Sequence, residues 1–191
     1  MRELLLKVEQ EIQNRNILPE EISSILSSIP EIKDRRIVGG YASFSIVDRE
    51  GHRITIPALK EAVARFMSEE YYKSVNIFHS DVVCGRILNK WTNPETGEII
   101  RTQVDDKGWY VVAELRANIE VADKVWEEII KGNIKSFSIA GSSKDKKEVH
   151  EGGKTFLDVN ALDLYEVTLC EIPVNPMSTF SVLYDPNKVE I

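Results

Sequence analysis

Three histidines are the first candidates for chemistry, because an imidazole changes its charge near neutral pH. His52 follows a glycine in a predicted turn and His150 lies in a charged segment, so we expect both to be exposed. His79 lies between the apolar residues 75–78 and the polar pair 80–81. Such a boundary can hold a side chain by packing and leave its polar edge open. A lone histidine there is more often structural than catalytic.

Two serines follow a predicted helix on the apolar segment 135–141. In a strand, Ser136 and Ser138 point to the same face, so periodicity does not choose between them. Composition alone favours two hydroxyls on the wet face of a strand. A serine becomes a nucleophile only beside a base, which in turn needs a group to orient it.

An acid in the middle of a β segment supplies a third candidate. Glu166 lies between aliphatic and aromatic residues in segment 164–169. A carboxylate in such surroundings is costly to bury without a partner. Glu166 is therefore expected to face solvent or to meet a partner such as a histidine.

Other kinds of site have weaker support. His79, Asp81 and Cys84 could suggest a metal site, but no second histidine lies nearby in the sequence. A serine–lysine dyad through Lys131 or Lys135 has no positive signal. The chain has neither a glycine-rich nucleotide-binding motif nor a G-x-S-x-G elbow. We expect no metal and no cofactor.

Composition limits the class of protein. The chain has 191 residues, of which 42% are hydrophobic, which is enough for one domain with a real core. It carries 24 basic and 31 acidic residues, and a net charge of −7 disfavours binding to nucleic acid. No apolar run approaches the roughly 18 residues of a membrane span, and the N-terminus does not read as a secretory signal. The two cysteines, Cys84 and Cys170, form no C-x-x-C pair, which favours a reducing, intracellular setting.

The elements that must position these groups fall into two parts. Residues 1–35 carry two helical apolar stripes, which predict either a hairpin packed on the domain or an arm that contacts a partner. From residue 36 the pattern predicts strands at 37–47, 82–91, 98–104, 109–115, 134–141 and 156–172. Helices are predicted at 57–67, after a Thr55 cap, and at 121–131, before Gly132. Residues 144–153 are expected to form an exposed loop. The whole predicts an α+β domain built on a β-sheet or barrel.

The order and spacing of these motifs resemble the capsid-maturation (prohead) serine proteases of tailed phages, including the XkdF-like group. The matching segments cover roughly residues 37–183, and they are 39–42 with Asp48 and Gly51, Phe66-Met67, 76–81, 85–87, 109–115, 125–141, 164–169 and 173–176. The resemblance implies a small β-barrel surrounded by helices, similar to the herpesvirus assembly proteases.

The resemblance also implies catalytic residues. The family's histidine falls on His79, its serine on Ser138 and its acid on Glu166. Many relatives have glycine where Ser136 and Ala140 stand, and Ser136 adds a second hydroxyl beside the expected nucleophile. The oxyanion donors are not placed by the motifs, and residues 141–143 are candidates only by adjacency.

By resemblance, the expected function is a serine endopeptidase that cleaves scaffold protein, extensions of the major capsid protein and itself. It would be a homo-oligomer inside the immature capsid in the host cytoplasm, without nucleic-acid or membrane partners. The expected domains are an arm at 1–35, a protease domain at 36–185 and a tail at 186–191. The alternative is a non-catalytic assembly or scaffold-associated protein with the same fold, and a ligand-binding barrel is a third possibility. The separation of the His79 and Ser138 side chains distinguishes them.

Overall fold

The computed structural model describes residues 35–69, 73–117 and 119–187. This part of the chain contains eleven strands and two helices, and no helix in it is long and apolar enough to cross a membrane. Residues 1–34 of the expected N-terminal arm and residues 188–191 of the expected tail lie outside the described residues. In chain order the elements are β1 (Arg36–Phe44), β2 (His52–Ile54), α1 (Ile56–Ser68), β3 (Ser74–Ile77), β4 (Val83–Leu88), β5 (Lys90–Thr92), β6 (Ile99–Arg101), β7 (Gln103–Val104), β8 (Gly108–Leu115), α2 (Glu120–Ile130), β9 (Ser136–Glu151), β10 (Lys154–Cys170) and β11 (Phe180–Tyr184).

Most strands belong to one mixed sheet with the order β11-β1-β8-β4-β3-β10-β2. Strand β9 pairs with β10, β7 pairs with β8, and β5 and β6 form a separate pair. The long β10 runs parallel to β2 near its start and parallel to β3 near its end, while it runs antiparallel to β9. Strand β10 therefore lies at the centre of the region that carries the predicted catalytic residues.

Helix α1 forms as its sequence predicts. Thr55 caps its first turn by accepting a 3.4 Å hydrogen bond from the Ala58 N–H, and Pro57 lies at the start of the helix, where no N–H is needed. Its apolar face packs against the sheet, with the Phe66 ring edge-on to Trp109 at a centroid distance of 5.5 Å. Helix α2 likewise ends before Gly132, which has a φ of 79° that favours glycine.

Two expectations about the sheet need correction. Residues 144–153 are not a loop, because they continue β9 to the tip of a hairpin with β10. His52 is half-buried at the start of β2 rather than exposed in a turn. Both faces of the hairpin carry charged side chains, so its sequence lacks the apolar–polar alternation from which a strand is predicted.

The expected small barrel is also corrected in part. The described residues form a mixed α/β fold that is mostly sheet, with no closed barrel. Beyond β10, strand β9 has only an isolated bridge, between Ser136 and Thr179. A closed barrel needs continuous pairing around the sheet. Here the segment that contacts the start of β9 leaves that strand at Phe180 and pairs with β1 as β11, so an opening remains between β9 and β1.

Candidate active site

Neighbouring strands bring the three predicted site residues together. Ser138 is the third residue of β9, Glu166 lies near the end of β10, and His79 follows β3 in a tight turn. Because β3, β10 and β9 are adjacent in the sheet, the 59-residue separation between His79 and Ser138 is closed by tertiary pairing. The strands thus supply the scaffold on which the site is assembled.

The histidine lies between the serine and the acid. His79 Nε2 is 3.1 Å from Ser138 Oγ, and His79 Nδ1 is 3.2 Å from Glu166 Oε1. Ser138 is only 4% exposed, the Glu166 side chain is 19% exposed and the His79 side chain is 43% exposed. The imidazole is therefore open to an approaching substrate, while the other two groups are held by packing.

The contact between the histidine and the acid is close but not fully aligned. Glu166 Oε1 is buried and accepts no hydrogen bond from any described group, although His79 Nδ1 lies at 3.2 Å. A small rotation of the imidazole would direct its Nδ1–H at this oxygen. With Nδ1 carrying the proton, Nε2 is free to accept the proton of Ser138, which is the tautomer that a catalytic base needs.

The backbone of the histidine turn is unusual. Phe78 and His79 both adopt the left-handed conformation, with φ values of 50° and 52°. This conformation costs a residue with a side chain about 1–2 kcal/mol, so the surroundings must hold it. The Phe78 N–H donates to the Leu169 carbonyl at 3.0 Å, and the Ser80 hydroxyl donates to the Ile77 carbonyl at 2.6 Å.

A residue that sequence reasoning missed also holds the turn. Thr168 is fully buried on β10, directly opposite Ser138 on β9, and its Oγ1 accepts a 3.1 Å hydrogen bond from the His79 backbone N–H. Thr168 thus contacts the His79 turn and neighbours Ser138. The only sequence signal for Thr168 is its position two residues after Glu166, which predicts that both side chains lie on the same face of the strand. This signal is informative only if Glu166 is already taken as a site residue.

The other sequence candidates lie apart from this arrangement. Ser136 is buried opposite Cys170, and no contact joins it to His79. A second acid on β10, Asp163, contacts Arg65 and Lys144 rather than His79. No group of three potential metal ligands lies together anywhere in residues 35–69, 73–117 and 119–187.

A cleft opens beside the serine and histidine. It has a volume of about 410 Å³ and includes Ser138 and His79 in its wall. A larger cavity of about 770 Å³ contains Glu166 but neither of these residues, so of these two spaces the smaller cleft is the one that gives a peptide bond access to the serine. The cleft is bounded by β9 on one side and by the end of β1 with its following loop on the other.

Taken together, these contacts form a serine–histidine–carboxylate arrangement at the wall of an open cleft. A non-catalytic protein or a closed ligand-binding barrel gives no reason for the 3.1 Å approach of His79 to Ser138. Such an arrangement can activate a hydroxyl for attack on a carbonyl carbon.

Comparison with known proteins points the same way. A family model described as caudovirus prohead serine protease matches residues 31–188 of the 191-residue chain. A search of curated proteins found no significant match. The chain therefore belongs to the caudovirus prohead serine proteases, serine peptidases that act on capsid proteins in the procapsid of a phage within its host cell.

Proposed function

We propose that this protease uses Ser138 as its nucleophile, His79 as its general base and Glu166 as the carboxylate that orients the histidine. The observation that carries the proposal is the continuous line of contacts from Ser138 Oγ through both ring nitrogens of His79 to Glu166 Oε1. No other pair of serine and histidine side chains in the described residues makes such a contact.

The chemistry follows from these positions. Ser138 Oγ attacks the peptide carbonyl carbon while its proton passes to His79 Nε2, and Glu166 stabilises the imidazolium that forms. His79 then gives this proton to the leaving amine, and the C–N bond breaks to leave an acyl ester on Ser138. Water, activated by the same nitrogen, cleaves the ester and restores the hydroxyl.

We further propose that the substrates are the extensions of the major capsid protein and the scaffold protein, and that the enzyme also cleaves itself. The test is co-expression with the capsid and scaffold proteins of the same phage, comparing the native chain with Ser138→Ala. Shortened products that require Ser138 support the proposal. Processing that continues with Ser138→Ala would overturn the assignment of the nucleophile.

The fold and the domain limits carry two related proposals. We propose that the sheet is a relative of the herpesvirus assembly-protease barrel that is open between β1 and β9, with the Ser136–Thr179 bridge marking the line of closure.

We also propose a protease domain at 36–185, a tail at 186–191, and an arm at 1–35 that mediates self-association or entry into the capsid. Deleting 1–35 should preserve peptide cleavage and reduce incorporation into procapsids. An insoluble truncated chain would assign the arm to the core instead.

A further inference from the structure

The outer edge of β9 loses its partner at the serine. The Phe137 N–H donates to the Ser178 carbonyl and the Phe180 N–H donates to the Lys135 carbonyl, both at 3.0 Å. From Phe180 onward the chain pairs with β1 instead. Among the described residues, no strand covers this edge of β9 beyond Phe137. The free edge therefore begins beside Ser138.

The direction of the free peptide groups follows from strand geometry. In a strand, the N–H and C=O groups of alternate residues point to the same side. Because the Phe137 N–H points away from β10, the peptide groups of Ile139 and Gly141 should point the same way. Both residues line the cleft. A row of unpaired peptide groups is a template for another strand.

The cleft beside this edge is lined about half by polar residues, among them Ser43, His52, Ser143 and Asn175, and about half by aliphatic side chains. The aliphatic side chains come from β2, β9, β10 and the loops after β1 and β10, and they are Ile46, Ile54, Ile139, Val159, Leu162, Leu164 and Val174. Asp48 and Glu50 also line the cleft, but the Asp48 carboxylate already accepts the N–H groups of Glu50 and His52. An aliphatic substrate side chain would match the aliphatic part of this wall.

We infer that the substrate binds as an added β-strand along the free edge of β9 at residues 139–143 and places an aliphatic side chain in the cleft. The inference rests on the proposed function, because Ser138 at one end of the edge requires the occupant to be a peptide. Main-chain hydrogen bonds to β9 hold the extended peptide, and the aliphatic part of the wall selects its side chain.

Side-chain selection can be measured with a peptide library. Proteome-derived peptides are digested with the native chain and with Ser138→Ala, and the cleavage sites that require Ser138 are mapped by mass spectrometry. We expect enrichment of Val, Ile or Leu at one fixed position near the cleaved bond. Enrichment of a charged residue at every constrained position would overturn the aliphatic assignment.

Backbone recognition has its own test. The best-cleaved peptide is resynthesised with a single N-methyl group at each successive position outside the cleaved bond. An added strand directs every second N–H at β9, so N-methylation should lower kcat/KM about tenfold at alternate positions and little between them. A profile without this alternation would overturn the added strand.

A matched pair of variants tests the cleft itself. Ile46→Asp places a charge in the cleft, whereas Val47→Asp places one at a neighbouring position that is 37% exposed and does not line the cleft. We expect kcat/KM for the aliphatic peptide to fall at least about tenfold in Ile46→Asp and to change less than about twofold in Val47→Asp. Equal effects of both variants would remove the cleft from substrate binding.

The experiments distinguish failure of the proposed function from failure of the binding mode. If no peptide and no capsid protein is cut in a Ser138-dependent way, the proposed function fails and the binding mode fails with it. If cleavage requires Ser138 but shows neither alternation nor aliphatic selection, the proposed function stands and only the binding mode is wrong.

Discussion

Ser138 and Thr168 lie directly opposite each other in the antiparallel β9–β10 ladder, and both are almost completely buried. Thr168 also accepts the backbone N–H of His79. The Thr168 position of β10 therefore neighbours Ser138 on β9 and is hydrogen-bonded to the histidine turn that follows β3. The alignment of the site depends on strand register, since a slip of one residue would turn these side chains to the opposite face.

The nucleophile can be identified by chemical labelling. A fluorophosphonate should modify Ser138 because, of the serines that the structure describes, it alone contacts the imidazole, and Ser138→Ala should lower peptide cleavage by at least about 10⁴-fold. Ser136→Ala, two residues away on the same face, is the matched control and should keep most of the activity. A label mapped to Ser136 would contradict the assignment.

Thr168 should act as a positioning residue. Thr168→Val keeps the shape but removes the acceptor for the His79 N–H, so we expect kcat to fall about 10–100-fold with little change in KM. Thr168→Ser restores the hydroxyl and should recover most of the activity. Equal losses of kcat in both variants, at matched thermal stability, would assign Thr168 a packing role only.

The carboxylate can be tested against its neighbour on β10. Glu166→Gln should lower kcat about 10²–10⁴-fold with little effect on KM, since the charge matters most when the imidazolium forms. Asp163→Asn is the control because Asp163 contacts Arg65 and Lys144 rather than His79. The opposite ranking of the two variants would move the third role to Asp163.

Activity should also decline on acidification. Protonated His79 has no free nitrogen to accept the Ser138 proton, so the rate should fall as the imidazole takes up a proton. The measurement is kcat/KM for one peptide at a series of pH values between about pH 5 and pH 8. A constant rate across this range would exclude a histidine base.

Thiol reagents should leave the enzyme active. Burial raises the pKa of Cys84 to about 12 and that of Cys170 to about 11, so neither provides a reactive thiolate at neutral pH. We expect iodoacetamide at pH 7 to modify neither cysteine of the folded chain, as measured by intact mass, while both react in urea. Rapid loss of activity with modification of one cysteine would contradict this.

Glu114 should link stability to pH. Burial tends to raise its pKa, but hydrogen bonds from Arg35 and Arg86 outweigh burial and hold the pKa below its ordinary value. A lowered folded-state pKa stabilises the protein fully above the unfolded-state pKa of about 4.3, and this stabilisation is lost as the pH falls through the folded-state pKa.

The corresponding variant makes this measurable. Glu114→Gln should lower the free energy of unfolding by about 1–3 kcal/mol at pH 7, and its difference from the native chain should shrink below about pH 4. Urea unfolding at several pH values gives both quantities. Glu171→Gln, at an exposed position, should change little. A difference that grows on acidification would reverse the sign of the linkage.

The sequence indicated three residues that lie together in the structure, whereas it predicted the surrounding sheet less well. His79 and Glu166 carried local signals, since one lay at an apolar–polar boundary and the other was an acid within a β segment. The choice between Ser136 and Ser138 had no local signal and rested on resemblance, because both lie on one face of a strand. In the structure, the approach of His79 distinguishes them.

The features that the sequence did not predict depend on tertiary contacts, which no local pattern encodes. The role of Thr168 arises from a turn 89 residues away in the sequence. The hairpin at residues 144–153 is exposed on both faces and lacks the alternation of a half-buried strand. By contrast, helix α1 was predictable because a cap, an early proline and an apolar stripe all lie within its own sequence.

The pairing of β1 with β11 has a consequence for when the enzyme can first act. Ile37 pairs with Tyr184, and the segment that bridges Ser136 directly precedes β11, so the sheet is complete only after residue 184 has been synthesised. Contacts of such long range slow folding, because much chain entropy is lost before they form. A nascent chain whose residues 179–184 are still inside the ribosome should therefore be inactive, because β1 lacks its partner β11 and the bridge to Ser136 has not formed.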